Sequence, residues 1–363
     1  MEVKEYKCPN CNGVVKFDIQ SQNMKCPYCD TEFEIAALEE YQKETAAPEK
    51  DQFEWDEENA PKSWDNEDEL NDLTQGSCPS CGAELLGDKN TAAMVCPNCG
   101  NSQIMLKRLT GLLKPDYIIP FKLEKKDAVE ALKKFYKGKR LLPNSFKDEN
   151  RINSIQGVYL PFWLFDAKAS GNIRYKATKV KHWFDANFNY TKTDYYSIVR
   201  DGSLVFEKVP VDGSEKMDDD YMDAIEPYDY SQISNFETAF LSGHIAEKYD
   251  VSAEQSKERA GRRIKASLEN EFAKSVTGYA TVFKERSVVD VEGGKVSYGL
   301  FPVWILNTKY KNKDYIFLMN GQTGRLVGKL PAESKKCWKY RLLFTLIFGA
   351  FFTLAIQLIR IFM

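Results

Sequence analysis

The sequence contains very little histidine and none of the common catalytic motifs. Of its 363 residues only His182 and His244 are histidines, which leaves little room for a histidine-based catalytic metal site. No G-x-x-x-x-G-K-[ST], G-x-G-x-x-G, H-E-x-x-H or G-x-S-x-G occurs, since Val296 and Leu330 follow the two Gly-Lys pairs that come nearest to a phosphate-binding loop. We therefore expect no enzymatic activity and no small-molecule substrate.

A strong charge of one sign and an N-terminal apolar leader are also missing. The chain has 50 Lys and Arg against 53 Asp and Glu, a net charge of -3, which gives no general attraction to nucleic acid. The first residues, Met1-Glu2-Val3-Lys4-Glu5, are not those of a signal peptide. We expect a cytosolic compartment, in which thiols stay reduced.

Cysteine, by contrast, follows a strict pattern. Eight of the nine cysteines form four Cys-Pro-x-Cys turns in two pairs, and fourteen residues separate the turns of each pair. Two such turns can provide four thiolates for one tetrahedral metal ion, as in a zinc ribbon. The spacing predicts two structural Zn²⁺ ions with the following ligands: Cys8, Cys11, Cys26 and Cys29 for the first; Cys78, Cys81, Cys96 and Cys99 for the second.

Two alternatives to structural zinc remain open. The same four-sulfur geometry suits iron in a rubredoxin-like electron carrier. The ribbons could also bind nucleic acid, but each has few lysines and several acids, so a nucleic-acid-binding regulator is the less favoured interpretation. With four cysteine ligands each site would be closed, and no coordination position would remain for a catalytic water.

The order of segments predicts an α+β protein with three parts besides its linkers. We place zinc ribbon 1 at 1–35, zinc ribbon 2 at 77–106 and an α+β domain with mainly antiparallel sheet at 107–332. Between the ribbons, 36–76 has fourteen acidic residues against three lysines, which predicts a disordered linker. Its tryptophans could alternatively anchor a partner.

The α+β domain contains an internal repeat. The apolar segment 157–166 has a near copy at 299–307, and the tryptophan in each suits a buried sheet. Asp201-Gly202 and Gly293-Gly294 read as hairpin turns. Ser252 to Gln255 reads as a capping box at the start of an amphipathic helix.

The C-terminal part of the chain predicts a membrane span. Leu342 to Ile359 has eighteen residues without a charge, within the range of roughly 17–25 that a spanning helix needs. We therefore assign 342–363 to a transmembrane helix. A juxtamembrane collar at 333–341 carries four basic and two aromatic residues. Because positive residues favour the cytoplasmic side, we expect a single-pass, tail-anchored protein with its bulk in the cytoplasm.

A resemblance to a known family rests on the paired Cys-Pro-x-Cys turns and on two segments, Lys114-Pro115-Asp116-Tyr117-Ile118-Ile119-Pro120-Phe121 and Tyr159-Leu160-Pro161-Phe162-Trp163. In these features the chain resembles a family of bacterial membrane-anchored proteins with transcription-factor-IIB-type zinc ribbons. Some members are labelled primosomal helicase-like, which does not carry over because no nucleotide-binding loop is present. The resemblance implies partners similar to phage-shock protein A or to flotillins, in membrane-stress modules.

Taken together, the sequence predicts a non-enzymatic, membrane-anchored zinc-ribbon adaptor that presents a protein-binding surface in the cytosol. Carbonate-resistant membrane association would support the anchor. Tight, salt-dependent binding by the ribbons would support the nucleic-acid alternative, and visible absorbance with a redox couple would support the iron alternative.

Overall fold

The computed structural model of the chain describes residues 6–11, 13–45, 51–55, 64, 73–88, 95–101, 104–107, 113–147, 152–311 and 313–362. Within these ranges the protein has a mixed α+β fold with mostly antiparallel sheet, two N-terminal four-cysteine clusters and one C-terminal apolar helix. This confirms the predicted fold class.

The chain forms two compact units, and each is assembled from three separate segments. The first unit comprises Met1–Gln52, Gly171–Gly202 and Val276–Asp290, and the second comprises Phe53–Ser170, Ser203–Ser275 and Val291–Met363. The predicted ribbon 1 falls in the first unit, whereas the predicted ribbon 2 falls in the second together with most of the α+β region.

The first unit begins with a small three-stranded antiparallel sheet and a helix. The strands are β1 (Lys16–Asp18), β2 (Asn23–Lys25) and β3 (Glu32–Phe33), with β2 in the middle. Helix α1 (Ile35–Thr45) follows directly. Its Leu38 is buried against Val15 and two of the cysteines. Arg174 lies over the ring of Tyr41 in α1, with 4.3 Å between the guanidinium carbon and the ring centroid.

A large sheet contains the strands of the second unit, and residues 171–184, 189–202 and 281–290 of its longest strands belong to the first unit. Its strands follow the order β11 (Ser234–Asn235), β8 (Tyr117–Ile118), β13 (Thr281–Tyr310), β9 (Gln156–Phe184), β12 (Ile245–Glu247), β6 (Glu84–Asp88), β5 (Leu73–Ser77) and β7 (Met105–Lys107). Strand β14 (Lys313–Asn320) pairs with β13, and β15 (Leu326–Gly328) pairs with β14. Two further strands, β4 (Gln52–Glu54) and β10 (Asn189–Asp212), pair with β13 and β9, respectively. The strands β5 to β7 around the second cysteine cluster therefore continue the main sheet.

Helices cover the sheet of the second unit. They are α2 (Lys125–Tyr136), α3 (Asp219–Ile225) and α4 (Ala253–Lys274). Helix α4 begins with the predicted capping box, in which the Ser252 and Gln255 side chains each bond the other's backbone. Its Ala260, Ile264 and Leu268 are buried along one face, which confirms that the helix is amphipathic.

The two copies of the internal repeat lie on neighbouring strands. Segment 157–166 is in β9 and 299–307 is in β13, and the rings of Phe162 and Phe301 stack with 4.6 Å between centroids. Trp163 and Trp304 are buried, and their indole N–H groups donate to the carbonyls of Val251 and Leu123. This confirms that both tryptophans belong to a buried sheet.

Both glycine-based hairpin predictions are wrong. Strand β10 continues through Asp201-Gly202, and β13 continues through Gly293-Gly294. At Gly293 a Cβ atom would lie 2.4 Å from the Trp55 ring, and at Gly294 a Cβ would lie 3.2 Å from the Asp166 carbonyl oxygen. These glycines mark a close approach of neighbouring groups, which in a strand is an alternative to a turn.

The prediction of a disordered linker over 36–76 is also wrong where the structure describes that segment. Helix α1 occupies its start, β4 pairs with β13, and β5 is part of the main sheet. Trp55 packs edge-on against Phe165 at 5.0 Å, and Trp64 packs against Phe236 at 6.0 Å. Aromatic contacts of these partly buried tryptophans with the core stabilise this acidic segment, and composition alone does not reveal them. Residues 46–50, 56–63 and 65–72 lie outside the described residues.

The last helix, α5 (Ser334–Phe362), has the predicted apolar segment. Its portion Ser334–Gln357 is long and apolar enough to cross a membrane, and its hydrophobic window is not buried within the protein. At its start, Lys336 Nζ donates to the Leu142 carbonyl at 2.7 Å and to Asn144 at 2.9 Å.

We predict that Trp55→Ala destabilises the second unit by about 2 kcal/mol, because it removes the ring that fills the space beside Gly293 and contacts Phe165. Chemical denaturation followed by tryptophan fluorescence measures the change. Trp338→Ala is the matched control, since Trp338 is 62% exposed and its removal should change the free energy of unfolding little. Equal effects of the two substitutions would contradict the packing of Trp55 against Phe165 and Gly293.

Candidate metal centres and an adjoining cleft

All four Cys-Pro-x-Cys segments fold into the same backbone turn. In each turn, the N–H of the first cysteine donates to the carbonyl five residues later. The donor–acceptor pairs are Cys8 and Gly13 (2.7 Å), Cys26 and Thr31 (2.9 Å), Cys78 and Ala83 (2.8 Å), and Cys96 and Asn101 (2.8 Å). The turn curls the backbone around the sulfur, so that both cysteines of one segment face the same point.

The residue after the second cysteine adopts a positive φ wherever the structure describes it. The φ values are 56° at Asp30, 73° at Gly82 and 74° at Gly100. Glycine adopts this conformation without strain, and Asp and Asn tolerate it better than other residues. Asn12 holds the equivalent position in the first turn and lies outside the described residues.

The structure brings each predicted set of four cysteines together. All Sγ atoms within a set lie within 4.8 Å of one another. Distances across each set are 3.6 Å for Cys8–Cys29 and 3.4 Å for Cys11–Cys26. In the second set they are 3.5 Å for both Cys78–Cys99 and Cys81–Cys96. A tetrahedral zinc with Zn–S bonds of 2.3 Å requires about 3.8 Å between sulfurs, so each set could hold one metal ion.

Protonation in each set is unequal. A hydrogen bond from Thr31 lowers the pKa of Cys29 to about 6. The Gly13 N–H favours the thiolate of Cys11, but the neighbouring Cys26 sulfur raises the pKa of Cys11 to about 12. In the second set, burial opposes ionisation of Cys78, yet backbone N–H groups lower its pKa to about 7. Burial raises the pKa of Cys96. A divalent metal ion would displace the remaining protons and offset half of the charge of the four thiolates.

The two clusters differ in their surroundings. In the first, Cys8 and Cys26 are buried, whereas Cys11 and Cys29 are exposed. In the second, Cys81 and Cys99 are half-buried, and Leu85 and Ile245 of the main sheet pack around the sulfurs. The second cluster is therefore part of the second unit's core. The ninth cysteine, Cys337, lies in α5 outside both sets.

A buried carboxyl group supports the second cluster from the sheet. Glu247 Oε1 in β12 accepts hydrogen bonds from the Asn98 amide at 3.1 Å and from the Ser214 hydroxyl at 3.2 Å. Asn98 lies between two cysteines, and its carbonyl accepts a hydrogen bond from the Asn307 amide. Glu247 Oε2 is buried and has no hydrogen-bond partner among the described residues. Burial raises the pKa of Glu247 to about 7. The sequence prediction missed this group, because β12 is distant from the cysteines along the chain.

A cleft of about 930 Å³ adjoins the first cluster within the first unit. Cys11 and Cys29 contribute to one side of it, and helix α1 contributes Ala37 and Tyr41. Strand residues from the other two segments of this unit, among them Tyr195 and Phe283, complete the lining. Sequence reasoning did not find the cleft, since three separated segments form it. The signal in the sequence is the presence of aromatic residues in otherwise polar strand segments.

The cleft combines apolar rings with acidic groups. Tyr195 and Phe283 are 61% and 68% exposed. Glu32, Glu34 and Glu40 lie on the ribbon and helix side. The ammonium group of Lys176 pairs with Glu285 at 2.7 Å, and Lys25 pairs with Glu32 at 3.7 Å. Neither lysine offsets Glu34 or Glu40, so the lining remains acidic on balance. The cleft therefore favours a ligand with apolar and positively charged groups.

We predict that Cys26→Ser and Cys96→Ser each reduce the metal content from two ions per chain to one, because each removes a ligand from a different cluster. Elemental analysis of the purified protein measures this. Cys337→Ser is the control and should retain two ions, since Cys337 lies outside both sets. Retention of two ions by Cys26→Ser would refute the first centre.

The same variants should differ in their effects on folding. Loss of the second ion should unfold β5 and β6, which surround buried Cys78 and Cys96 in the main sheet, whereas loss of the first ion should leave the second unit folded. Hydrogen exchange of the two units distinguishes these outcomes. Equal protection of β5 and β6 in both variants would contradict the core role of the second cluster.

We predict that Glu247→Gln reduces the pH dependence of stability. A folded-state pKa of about 7, above the ordinary 4.5, means that the proton on Glu247 stabilises the fold at low pH. This contribution is lost as pH rises through 7. Between pH 5.5 and 7.5 the unaltered protein should lose about 2 kcal/mol more than the Gln variant. Urea unfolding with zinc present measures the difference, and Glu237→Gln, at an exposed position, should behave like the unaltered chain.

Comparison with known proteins identifies a relative over nearly the full length. The chain is 34% identical over 331 residues to a protein of Bacillus subtilis (strain 168) described as "Uncharacterized protein YdjG", and the match covers 91% of each chain. No family model matches the chain. No solved structure matches it. Identity of this extent places the chain in the same family as YdjG.

Proposed function

We propose that the protein is a non-enzymatic adaptor, anchored in the cell membrane by α5, that binds a partner protein in the cleft beside its first metal centre. Two structural zinc ions stabilise its ribbons. The bulk of the chain lies in the cytoplasm. The observation that carries the proposal is the cleft itself, which combines exposed aromatic rings with several acidic side chains next to a closed four-sulfur site.

The charge of the cleft supports a protein partner over nucleic acid. Glu32, Glu34 and Glu40 line it, and acidic groups repel a phosphate backbone. Exposed aromatic residues such as Tyr195 and Phe283 are frequent anchors in protein interfaces. A peptide segment with apolar side chains and lysine or arginine would satisfy both features.

The geometry of the metal centres supports a structural role. Four sulfur ligands at tetrahedral spacing leave no position for a substrate or a water molecule. We assign zinc rather than iron, because a four-cysteine site in a small ribbon obtains its folding free energy from zinc without redox chemistry. The four-sulfur ribbon is of the transcription-factor-IIB type by resemblance, with no role in transcription proposed.

The composition of α5 supports the anchor and its orientation. Exposed apolar residues, among them Leu346, Phe351 and Leu354, continue along its length. Lys335, Lys336, Lys339 and Arg341 precede them, and Trp338 is 62% exposed among these basic residues. Basic and aromatic residues at one end of a span are typical of the cytoplasmic interface.

The family resemblance suggests which partners to test first. Proteins similar to phage-shock protein A or to flotillins, both of membrane-stress modules, are the candidates. We propose that one of them supplies the basic and apolar segment that enters the cleft.

The anchor is tested by carbonate extraction of membranes. The unaltered protein should stay in the pellet. Leu346→Arg combined with Phe351→Arg should release it, because each arginine near the centre of a span costs about 2.5–3.5 kcal/mol on insertion scales. Leu346→Ile with Phe351→Leu is the control and should remain in the pellet. Extraction of the unaltered protein into the soluble fraction would refute the anchor.

The cleft is tested by chemical crosslinking of the full chain in its membrane. Phe283→Ser with Tyr195→Ser should reduce the yield of a specific crosslinked partner at least about fivefold, since both rings lie at the cleft surface. Val205→Ser is the matched control, because Val205 is 73% exposed on β10 and does not line the cleft. An unchanged crosslink pattern in all three proteins would exclude the cleft as the docking site.

A further inference from the structure

Within the first unit, the end of β9 and the start of β10 form a hairpin whose tip exposes several aromatic rings. Phe184 is 82% exposed, Phe188 64% and Trp183 49%. Tyr190 is also exposed. These residues do not line the cleft. Isolated two-stranded hairpins are only marginally stable in water. A cluster of exposed aromatic rings at the tip of such a hairpin therefore indicates a site that contacts another molecule or a membrane.

The tip is a rigid structure. The Asp185 carboxylate accepts hydrogen bonds from the N–H groups of Asn187 and Phe188, both at 2.8 Å, and from the Tyr190 hydroxyl at 2.9 Å. The Trp183 and Tyr190 rings stack across the strands with 5.4 Å between centroids. A hydrogen bond of 2.9 Å joins His182 and Thr191. These contacts define the turn and hold the Trp183 and Tyr190 rings against each other, while Phe184 and Phe188 remain exposed.

The rings point to both sides of the hairpin. Side chains of adjacent strand residues alternate between faces, so Trp183 and Phe184 project in opposite directions. A folded protein partner usually covers one face of a hairpin, whereas a lipid layer surrounds an inserted hairpin tip on all sides. The arrangement of the rings favours the second case.

The charges beside the tip are mainly positive. Lys179, Lys181 and Lys192 lie on the two strands. Lys192 pairs with Asp194 at 2.9 Å, and Lys179 lies 5.3 Å from the Tyr196 ring centroid. Asp185, the acidic residue of the turn, is already bound by three donors. Lysines behind aromatic residues complement the anionic headgroups of a bilayer.

We propose that this hairpin tip is a second membrane contact, which inserts its aromatic residues into the interfacial layer of a bilayer rich in anionic lipid. The proposal rests on the membrane anchoring by α5, which keeps the chain at a bilayer. The unpaired backbone groups on the outer edges of a hairpin require water or headgroups, so the tip reaches the interfacial layer and not the hydrocarbon core.

The test places a photo-crosslinking residue, benzoylphenylalanine, at Phe184 or Phe188 of the full chain. The protein is reconstituted in vesicles of phosphatidylethanolamine and phosphatidylglycerol that contain labelled phosphatidylglycerol. Illumination should produce lipid adducts at both tip positions at least about fivefold above those at Tyr195, which is 61% exposed in the same hairpin but away from the tip. Yields at the tip equal to those at Tyr195, or adducts with protein only, would overturn the proposal.

A second experiment measures how much the lysines beside the tip contribute to the contact with anionic lipid. Lys179→Ser with Lys181→Ser should reduce the adduct yield by about tenfold in vesicles with phosphatidylglycerol and leave it unchanged in phosphatidylcholine vesicles. A yield that is insensitive to these lysines in anionic vesicles would exclude recognition of anionic lipid.

Flotation of the vesicles separates this proposal from that of the anchor. A chain that floats with the vesicles but gives no tip adduct retains its anchor and refutes the tip contact. A chain that fails to float refutes the anchor itself. Circular dichroism of each variant checks that the exposed substitutions leave the fold intact.

Discussion

Each of the two cysteine sets brings four sulfur atoms within 4.8 Å of one another. The folding around both sets depends on how this arrangement is stabilised. Four thiolates at this spacing repel each other strongly, and four thiols gain little from being so close. A divalent cation would convert this arrangement into a stabilising one, because it replaces the protons and attracts all four thiolates. The ribbon strands are too short to bury much apolar surface on their own. A metal ion in the first set would therefore give α1 and the cleft a fixed support.

The two clusters have the same local turn and different structural roles. The second is surrounded by Leu85, Ile245 and the buried carboxyl group of Glu247, so it is tied into the main sheet. The first has a small core of its own and leaves Cys11 and Cys29 at the surface beside the cleft. A duplicated module has thus provided one centre that completes a hydrophobic core and one that lies beside an open cleft.

Features set by residues close in sequence could be predicted, whereas those set by distant contacts could not. The cysteine turns, the Ser252 capping box and the apolar helix at 342–359 each depend on local spacing. The acidic composition of 36–76 suggested a linker because the ring contacts of Trp55 and Trp64 involve partners more than a hundred residues away. Gly293 was interpreted as a turn for the same reason: only the fold shows that the Trp55 ring occupies the place of its side chain. The cleft and the position of Glu247 likewise come from segments that sequence order separates.

Closed metal centres also determine where recognition can arise. A zinc ion with four cysteine ligands offers neither a free coordination site nor a net positive charge to a partner, since four thiolates exceed the charge of the ion. In the proposed adaptor, specificity in the cleft must then come from protein groups, namely the rings of Tyr195 and Phe283 and the carboxylates on the ribbon side. The excess negative charge of a four-thiolate centre adds to these acids. Both effects select a basic, apolar segment and disfavour phosphate, which is why a ribbon of this type is better suited to a protein than to a nucleic acid.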